Sequence, residues 1–228
     1  MMILKIKNII YFLLPAVFIF SCLGQNSAVF TPSVDLSIYE SKSFIDIENI
    51  IDSKNGASAQ LLPPWLTAYI EGGAVTVEKL DLYNNKYVFV AVNEGLNFTV
   101  LDKWADNFAV TYDFPMLAAS RIENRMIMSA SKYPDDEYGL FFERMVKNAY
   151  SNEYHGTVKE DTSWIRIVKN ENGESRNVYM FFILVSIDRN TLQNNIRSMM
   201  ARTSAAVTVT SAQGHAINRL RQTFFEGF

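Results

Sequence analysis

The sequence predicts an α+β fold: an antiparallel sheet of about four strands drawn from two hairpins, with helices packed against it, behind a signal peptide and a tether. Three observations carry this. β-prone runs joined by turn residues occur twice, around Asn84-Asn85 and around Asn172-Gly173. Helix-spaced apolar residues fill the interval between them and the stretch after them. Val178-Tyr179-Met180-Phe181-Phe182-Ile183-Leu184-Val185 is apolar at both parities, which suits a central strand covered on both faces.

The elements follow in chain order. Lys5 and Lys7 precede an uncharged apolar run, Ile9 to Phe20, which is the order of a secretory signal peptide. The run is too short for a bilayer-crossing helix, which needs about twenty apolar residues, and it contains Pro15. Ser21 places a small side chain before Cys22, so residues 1–21 are expected to be removed at the Ser21–Cys22 bond, leaving Cys22 first. Ile19-Phe20-Ser21-Cys22 resembles the lipobox of bacterial lipoproteins, with the bulky Phe20 tolerated in the relaxed lipoboxes of spirochaetes. That resemblance implies a diacylglycerol on the Cys22 sulfur, where several fatty chains hold a protein at a membrane and one does so only marginally. The alternative is an ordinary secretory signal with Cys22 inside it.

Composition describes a globular body behind this leader. Hydrophobic residues make up 49% and charged residues 20%, close to average globular usage, and the length suits one domain. Without Lys5 and Lys7 the chain keeps 19 of its 21 basic residues against 24 acidic ones, a net of −5, which argues against general nucleic-acid binding. Cys22 is the only cysteine, so an exported chain has no internal disulfide and depends on packing.

Residues 22–60, rich in Ser, Asn and Asp, read as the lipidated cysteine and a tether, with Phe44 to Ile51 able to form a short strand or helix. A single α+β domain is expected over 61–228. Pro63-Pro64-Trp65 opens one or two helical turns that Gly72-Gly73 should stop. Those glycines are no phosphate loop, lacking both further spaced glycines and a following Lys-Ser/Thr pair. Val75, Val77, Leu80 and Leu82 then alternate into a first hairpin with Tyr87 to Val92. Leu96 to Ser131 is helical, divided near Tyr112-Asp113-Phe114-Pro115, with Met116, Ala119, Ile122, Met126 and Ile127 on one face. Pro134-Asp135-Asp136-Glu137 opens another helix, to about Ala149, burying Leu140, Phe141, Met145 and Val146. The second hairpin pairs Ser163 to Val168 with Asn177 to Asp188. Asn190-Thr191 should cap a helix through Leu192, Ile196 and Met199-Met200; Ser204 to Thr210 is ambiguous, and Ala212 to Phe225 is helical.

Pro63-Pro64-Trp65-Leu66, Tyr87 to Gly95, Phe114 to Met126 and Tyr179 to Leu192 together resemble the small bacterial outer-membrane lipoproteins of the Lpp-twenty type, over about Leu61 to Met200. Val92-Asn93-Glu94-Gly95 stands where those proteins have a glycine-rich strand end. The resemblance implies an accessory or structural envelope component, preferably at the outer membrane, with its domain in the periplasm or at the cell surface. It supplies no catalytic residues.

Chemical motifs are sparse. His155 and His215 lie far apart without i, i+4 pairing or accompanying cysteines, and read as surface residues rather than zinc ligands. No Gly-x-Ser-x-Gly elbow occurs. Asp135-Asp136-Glu137 lacks calcium-loop spacing and reads as helix capping, Asn97-Phe98-Thr99 as a chance sequon, and Arg219 with Arg221 as a solvated helix face rather than a lipid headgroup contact. No catalytic residue, metal or cofactor is expected. The reading is a non-enzymatic, lipid-anchored envelope protein, held to the membrane through Cys22 and serving a structural role or binding an envelope protein partner. One alternative is a carrier of lipids or apolar ligands, suggested by Tyr179 to Val185 with Phe141, Phe142, Phe181 and Phe182; the other is an enzyme without a recognisable motif.

Overall fold

A computed structural model describes residues 45, 47–56, 62–130, 139–171, 173–206 and 210–226. Ser21, Cys22 and the leader around them, the tether up to residue 44, and Asp135-Asp136-Glu137 lie outside the described residues. Among the described residues four antiparallel strands form one sheet in the order β1-β3-β4-β2, with β1 at Ile50–Ser53, β2 at Lys86–Gly95, β3 at Val158–Glu171 and β4 at Glu174–Asp188. β4 is interior, flanked by β3 and β2, as its apolar run requires. Among the described residues six helices complete the α+β fold: α1 (Pro64–Val77), α2 (Phe98–Asn107), α3 (Val110–Ala130), α4 (Gly139–Ser151), α5 (Arg189–Ala205) and α6 (Ser211–Phe225).

The two parities of β4 feed two cores. Phe181, Ile183, Val185 and Ile187, with Tyr87, Phe89 and Ala91 of β2, form one face, which α2, α3 and α5 cover. α6 packs on α3, and α4 packs on α3 and α5, so α4 stands a layer away from the sheet. The opposite parity, Phe182 and Leu184 with Val88, Val90, Ile165 and Ile167, is covered by Trp65, Leu66 and Ile70 of α1 together with Ile45, Ile50 and Leu62. Side chains alternate between faces along a strand, so one apolar octapeptide serves both layers.

The expected first hairpin does not form. Gly72 and Gly73 interrupt the helix as expected, leaving helical geometry at φ −160° and φ 72°, the latter open to glycine, but a second helical segment follows at once, with Thr76 Oγ1 donating to Gly72 O at 2.9 Å and the chain helical through Val77. Val77 is buried and Val75 is 55% exposed, so the alternation that suggests a strand is a helix passing one residue inward and one outward. A 3₁₀ turn, Asp81–Tyr83, then leads into β2. The sheet therefore holds one hairpin, β3–β4, and takes its outer strands from β2 and β1.

β1 also moves the domain boundary. Ile50 pairs with Ile167 and Ser53 with Ile165, so the sheet takes in residues assigned to the tether, and the folded body begins by Ile45 rather than at 61. A short strand near Ile50 was one of the two forms the sequence allows there.

Helix boundaries shift where side chains cap at a distance. α3 begins at Val110, where Asp113 Oδ2 in its first turn reaches back four residues to accept from Ala109 N at 2.7 Å; Pro115 then sits inside the helix instead of dividing it. Phe114, Leu117, Ala118, Ile122 and Met126 form its buried face, while Met116 is half-buried and Ile127 is 50% exposed. In α4, Phe141, Met145 and Ala149 face inward; Leu140 is exposed and Val146 half-buried. α5 is capped by Asp188, not Asn190: its Oδ1 accepts from Thr191 N at 2.9 Å and from Thr191 Oγ1 at 3.1 Å. The Thr191 backbone bond leads in holding the Asp188 carboxyl below the usual aspartate range.

Candidate binding cleft

α4 and α5 run antiparallel and are stitched by polar contacts. Arg144 donates to Ala206 O at 2.6 Å, Asn148 Nδ2 to Thr203 Oγ1 at 2.9 Å, and Arg202 Nη2 to Asn152 Oδ1 at 3.1 Å. Where α4 ends, the chain turns through Asn152 to Thr157 alongside α5, with Gly156 beside Thr191. The result is an open cleft of about 750 Å³ whose polar lining includes Asn148, Ser151, Asn152, Asn195, Ser198 and Arg202. Each carboxamide and hydroxyl both donates and accepts, and the charges of Glu153 and Arg202 oppose one another.

The turn is pinned by one residue. Tyr154 is buried, its ring meets Phe114 edge-on at 5.3 Å between centroids, and its hydroxyl donates to Ala149 O at 3.1 Å. Burial raises the Tyr154 phenol far above its ordinary range, so it stays neutral. Thr157 Oγ1 donates to Tyr154 O at 2.5 Å, and Gly156, at φ 82°, turns the chain beside Thr191. With Tyr154 directed inward, Glu153 and His155 point outward, 83% and 87% exposed, with Nε2 and Oε2 at 3.7 Å.

Glu153 and His155 also border a second cleft, of about 230 Å³, against Val110, Thr111, Phe114 and Pro115 at the start of α3. Its lining mixes apolar rings and methyls with backbone and hydroxyl groups. The two clefts thus meet along one short ridge. Asn195 Nδ2, on a residue of α5 that lines the cleft, is shielded from solvent and has no acceptor among the described residues, a state that costs about 1–3 kcal/mol for an ordinary buried donor.

No family model matches this chain, and neither a curated protein nor a solved structure does.

The residues singled out in the sequence scatter. His155 lies on the ridge, whereas His215 is exposed on α6, and among the described residues no three His, Cys, Asp or Glu side chains gather to hold a metal ion. Phe141, Phe181 and Phe182 are core side chains, and Phe142 packs against the same core, so the aromatics that suggest a carrier fill the interior. Arg219 and Arg221 are half-buried on α6. Asn97, read as part of a chance sequon, is the N-cap of α2 and accepts from Val100 N at 3.3 Å. The cleft residues themselves were missed. Their signal was available: Asn148 and Asn152 at i, i+4, and Asn195, Ser198 and Arg202 at i, i+3, i+7, are uncharged or mixed stripes beside apolar ones.

Proposed function

We propose that this chain is a lipid-anchored lipoprotein of a bacterial cell envelope, moored through Cys22, whose folded body acts by binding an envelope protein rather than by catalysis. The observation that carries it is Ile19-Phe20-Ser21-Cys22 at the end of a charged start and a short apolar run, with no second cysteine to give Cys22 a disulfide partner. Two features support the reading. No helix among the described residues is long and apolar enough to cross a membrane. Residues 23–44 separate Cys22 from the first described core residue, a stretch that spans at most about 80 Å when extended, enough to lift a domain off a bilayer surface.

The envelope, preferably at the outer membrane, is where such an anchor serves. Metabolic labelling with a fatty acid, followed by mass spectrometry of the mature terminus, tests it. A diacylated Cys22 is expected at residue one, and Cys22→Ala should abolish labelling and move the protein out of the membrane fraction. An unmodified thiol, or a chain still beginning at Met1, sinks the proposal.

A further inference from the structure

We infer that the exposed end of β4 pairs with the same segment of a second copy of this chain, antiparallel and centred on Ser175, so that the sheet continues across a twofold axis. This goes beyond the anchored, partner-binding reading above and does not depend on it. β2 ends at Gly95, opposite Tyr179, so Glu174 to Val178 of β4 have no strand on that side among the described residues. The main chain of Val88 faces outward, to Glu78 and Arg121, and Arg189 N donates to Asn85 O at 3.1 Å. Odd-numbered residues of β4 are therefore the ones whose main chain faces β2. Past Gly95 these are Ser175 and Asn177. Their N–H and C=O groups point to where a further strand would lie, and residues 173–177 are exposed.

Charge selects the occupant. Within the hairpin Lys169 stands directly opposite Arg176, and Glu171 opposite Glu174, an order of like on like that weakens a strand pair. Lys169 Nζ turns away to Glu94 Oε2 at 2.6 Å. Arg176 Nη2 turns to Glu174 Oε2 at 2.7 Å, but these side chains are 56% and 70% exposed, and such a pair is worth little in water. An antiparallel copy with Ser175 opposite its own counterpart sets Glu174 against Arg176 of the other chain, twice over. Those are non-hydrogen-bonded positions, where Cα atoms come to about 4.5 Å and side chains lie closest. Sliding the copy by two residues sets Arg176 against itself in one direction and Glu174 against itself in the other, and an in-register parallel copy opposes like to like throughout. One register of a second copy is thus favoured over its neighbours. Edges guarded against pairing carry Lys or Pro, whereas Glu174 to Val178 has no proline and no net charge. Only residues 173–177 overlap, against about 20–30 residues a side in a stable interface, so the dimer is weak and concentration-dependent in solution.

The test is sedimentation velocity over a concentration series, on the full mature chain carrying Cys22→Ala so that no fatty chain contributes to association. A reversible monomer–dimer equilibrium is expected. Arg176→Glu and Glu174→Arg should each weaken it by about tenfold or more, since both symmetry-related contacts turn repulsive at once. An equimolar mixture of the two variants should form a heterodimer as tight as the wild-type dimer, and the double variant, Glu174→Arg with Arg176→Glu, should dimerise again by itself. Leu82→Arg, on the exposed 3₁₀ turn, leaves association unchanged. Amide protection at Lys169 and Arg176, partners across the hairpin, checks that each variant keeps it. A chain that stays monomeric to the limit of its solubility overturns the inference, as does a dimer that the charge variants leave intact or that the mixture fails to restore. Slow exchange of the Ser175 and Asn177 amides in a monomer would give this edge to a segment of the same chain instead.

Discussion

Arg121 Nη1 stands 2.6 Å from Glu78 Oε1, and the two side chains share the outward-facing backbone of Val88. Glu78 Oε1 accepts from Val88 N at 2.9 Å, and Val88 O accepts from Arg121 at 3.2 Å. β2 is an edge strand, and its unpaired rungs are a template for another chain's strand. At Val88 a carboxylate from the end of α1 and a guanidinium from α3 take the places that a neighbouring strand's C=O and N–H would occupy. Arg189 Nη2 reaches Glu78 Oε2 at 3.1 Å, and both guanidinium groups lie over the Tyr87 ring, at 4.8 and 4.5 Å from its centroid.

Arg121→Ala should therefore be costly. Glu78 has a side chain only 6% exposed, and removing one member of a buried pair costs about 3–5 kcal/mol because the other charge is left poorly compensated. Arg189 remains as a second cation, so the expected loss is about 3 kcal/mol in urea denaturation, with concentration-dependent association as the Val88 rung opens. Arg121→Lys should recover only part of it, since an ammonium cannot serve Glu78 and Val88 O in the same fork. Stability within about 0.5 kcal/mol of wild type, the range of an ordinary surface substitution, would show that the pair is dispensable.

Acid should act through Glu160. Burial pushes its carboxyl up, but hydrogen bonds from Lys86 Nζ at 2.6 Å and Ser186 Oγ at 2.5 Å, with the Lys86 charge, outweigh this and hold it below the ordinary glutamate value. A depressed native value means that the unfolded chain takes up the proton first. The stabilisation is then complete above the ordinary value of 4.5 and is lost as pH falls below it through the native value. Denaturation midpoints across this acid range should fall more steeply for the wild type than for Glu160→Gln. Parallel slopes would remove Glu160 from the account.

Phe98 anchors α2 to the sheet. Its ring meets Trp164, Tyr179 and Phe181 edge-on, at 5.2, 5.4 and 5.2 Å between centroids. Each such pair adds about 0.5–1.5 kcal/mol beyond burial. Phe98 is only partly buried, so Phe98→Ala should cost about 2–3 kcal/mol, below the value for a fully buried ring. The emission of Trp164 should shift to the red as water reaches it, and Phe98→Leu should restore most of the stability without the ring contacts. An unchanged emission spectrum in Phe98→Ala would mean that another group shields Trp164.

Legibility in the sequence followed the range of the forces involved. β4 was readable because its apolar run at both parities admits few placements, and the β3–β4 hairpin because Gly173 takes the positive φ its turn requires. α1 was misread because Val75 and Val77 fit a strand's period as well as a helix's, and only the Trp65-to-Val77 packing on the sheet selects between them. The start of α3 depends on Asp113 reaching back to Ala109, which moves the boundary away from the proline that marks it locally. The polar stripes of the cleft were in the sequence, but their meeting was not: residues 148–155 and 195–206 line it together, a relationship between segments separated in sequence. Asn195 in isolation is an ordinary polar residue on a helix.

The boundary at β1 yields the last prediction. β1 has four residues, yet it closes the exposed side of β3: Asp52 meets Arg166 at 3.2 Å, Lys54 N donates to Trp164 O at 3.1 Å, and Ile45 and Ile50 are buried with Ile165 and Ile167. A chain shortened to begin at Leu61 loses these and uncovers Ile165 and Ile167 on an unpaired edge, a combination that favours both unfolding and strand addition. A chain shortened to begin at Ile45 keeps them. The longer form should stay free of aggregation, with slow amide exchange at Ile165 and Ile167; the shorter should exchange those amides quickly and aggregate. Ile50→Asp in the full chain isolates the packing term, placing an unpaired carboxylate in the core at a cost of about 3 kcal/mol, or a fall in Tm of several degrees. Equal Tm values for the two shortened chains would return residues 45–56 to the tether.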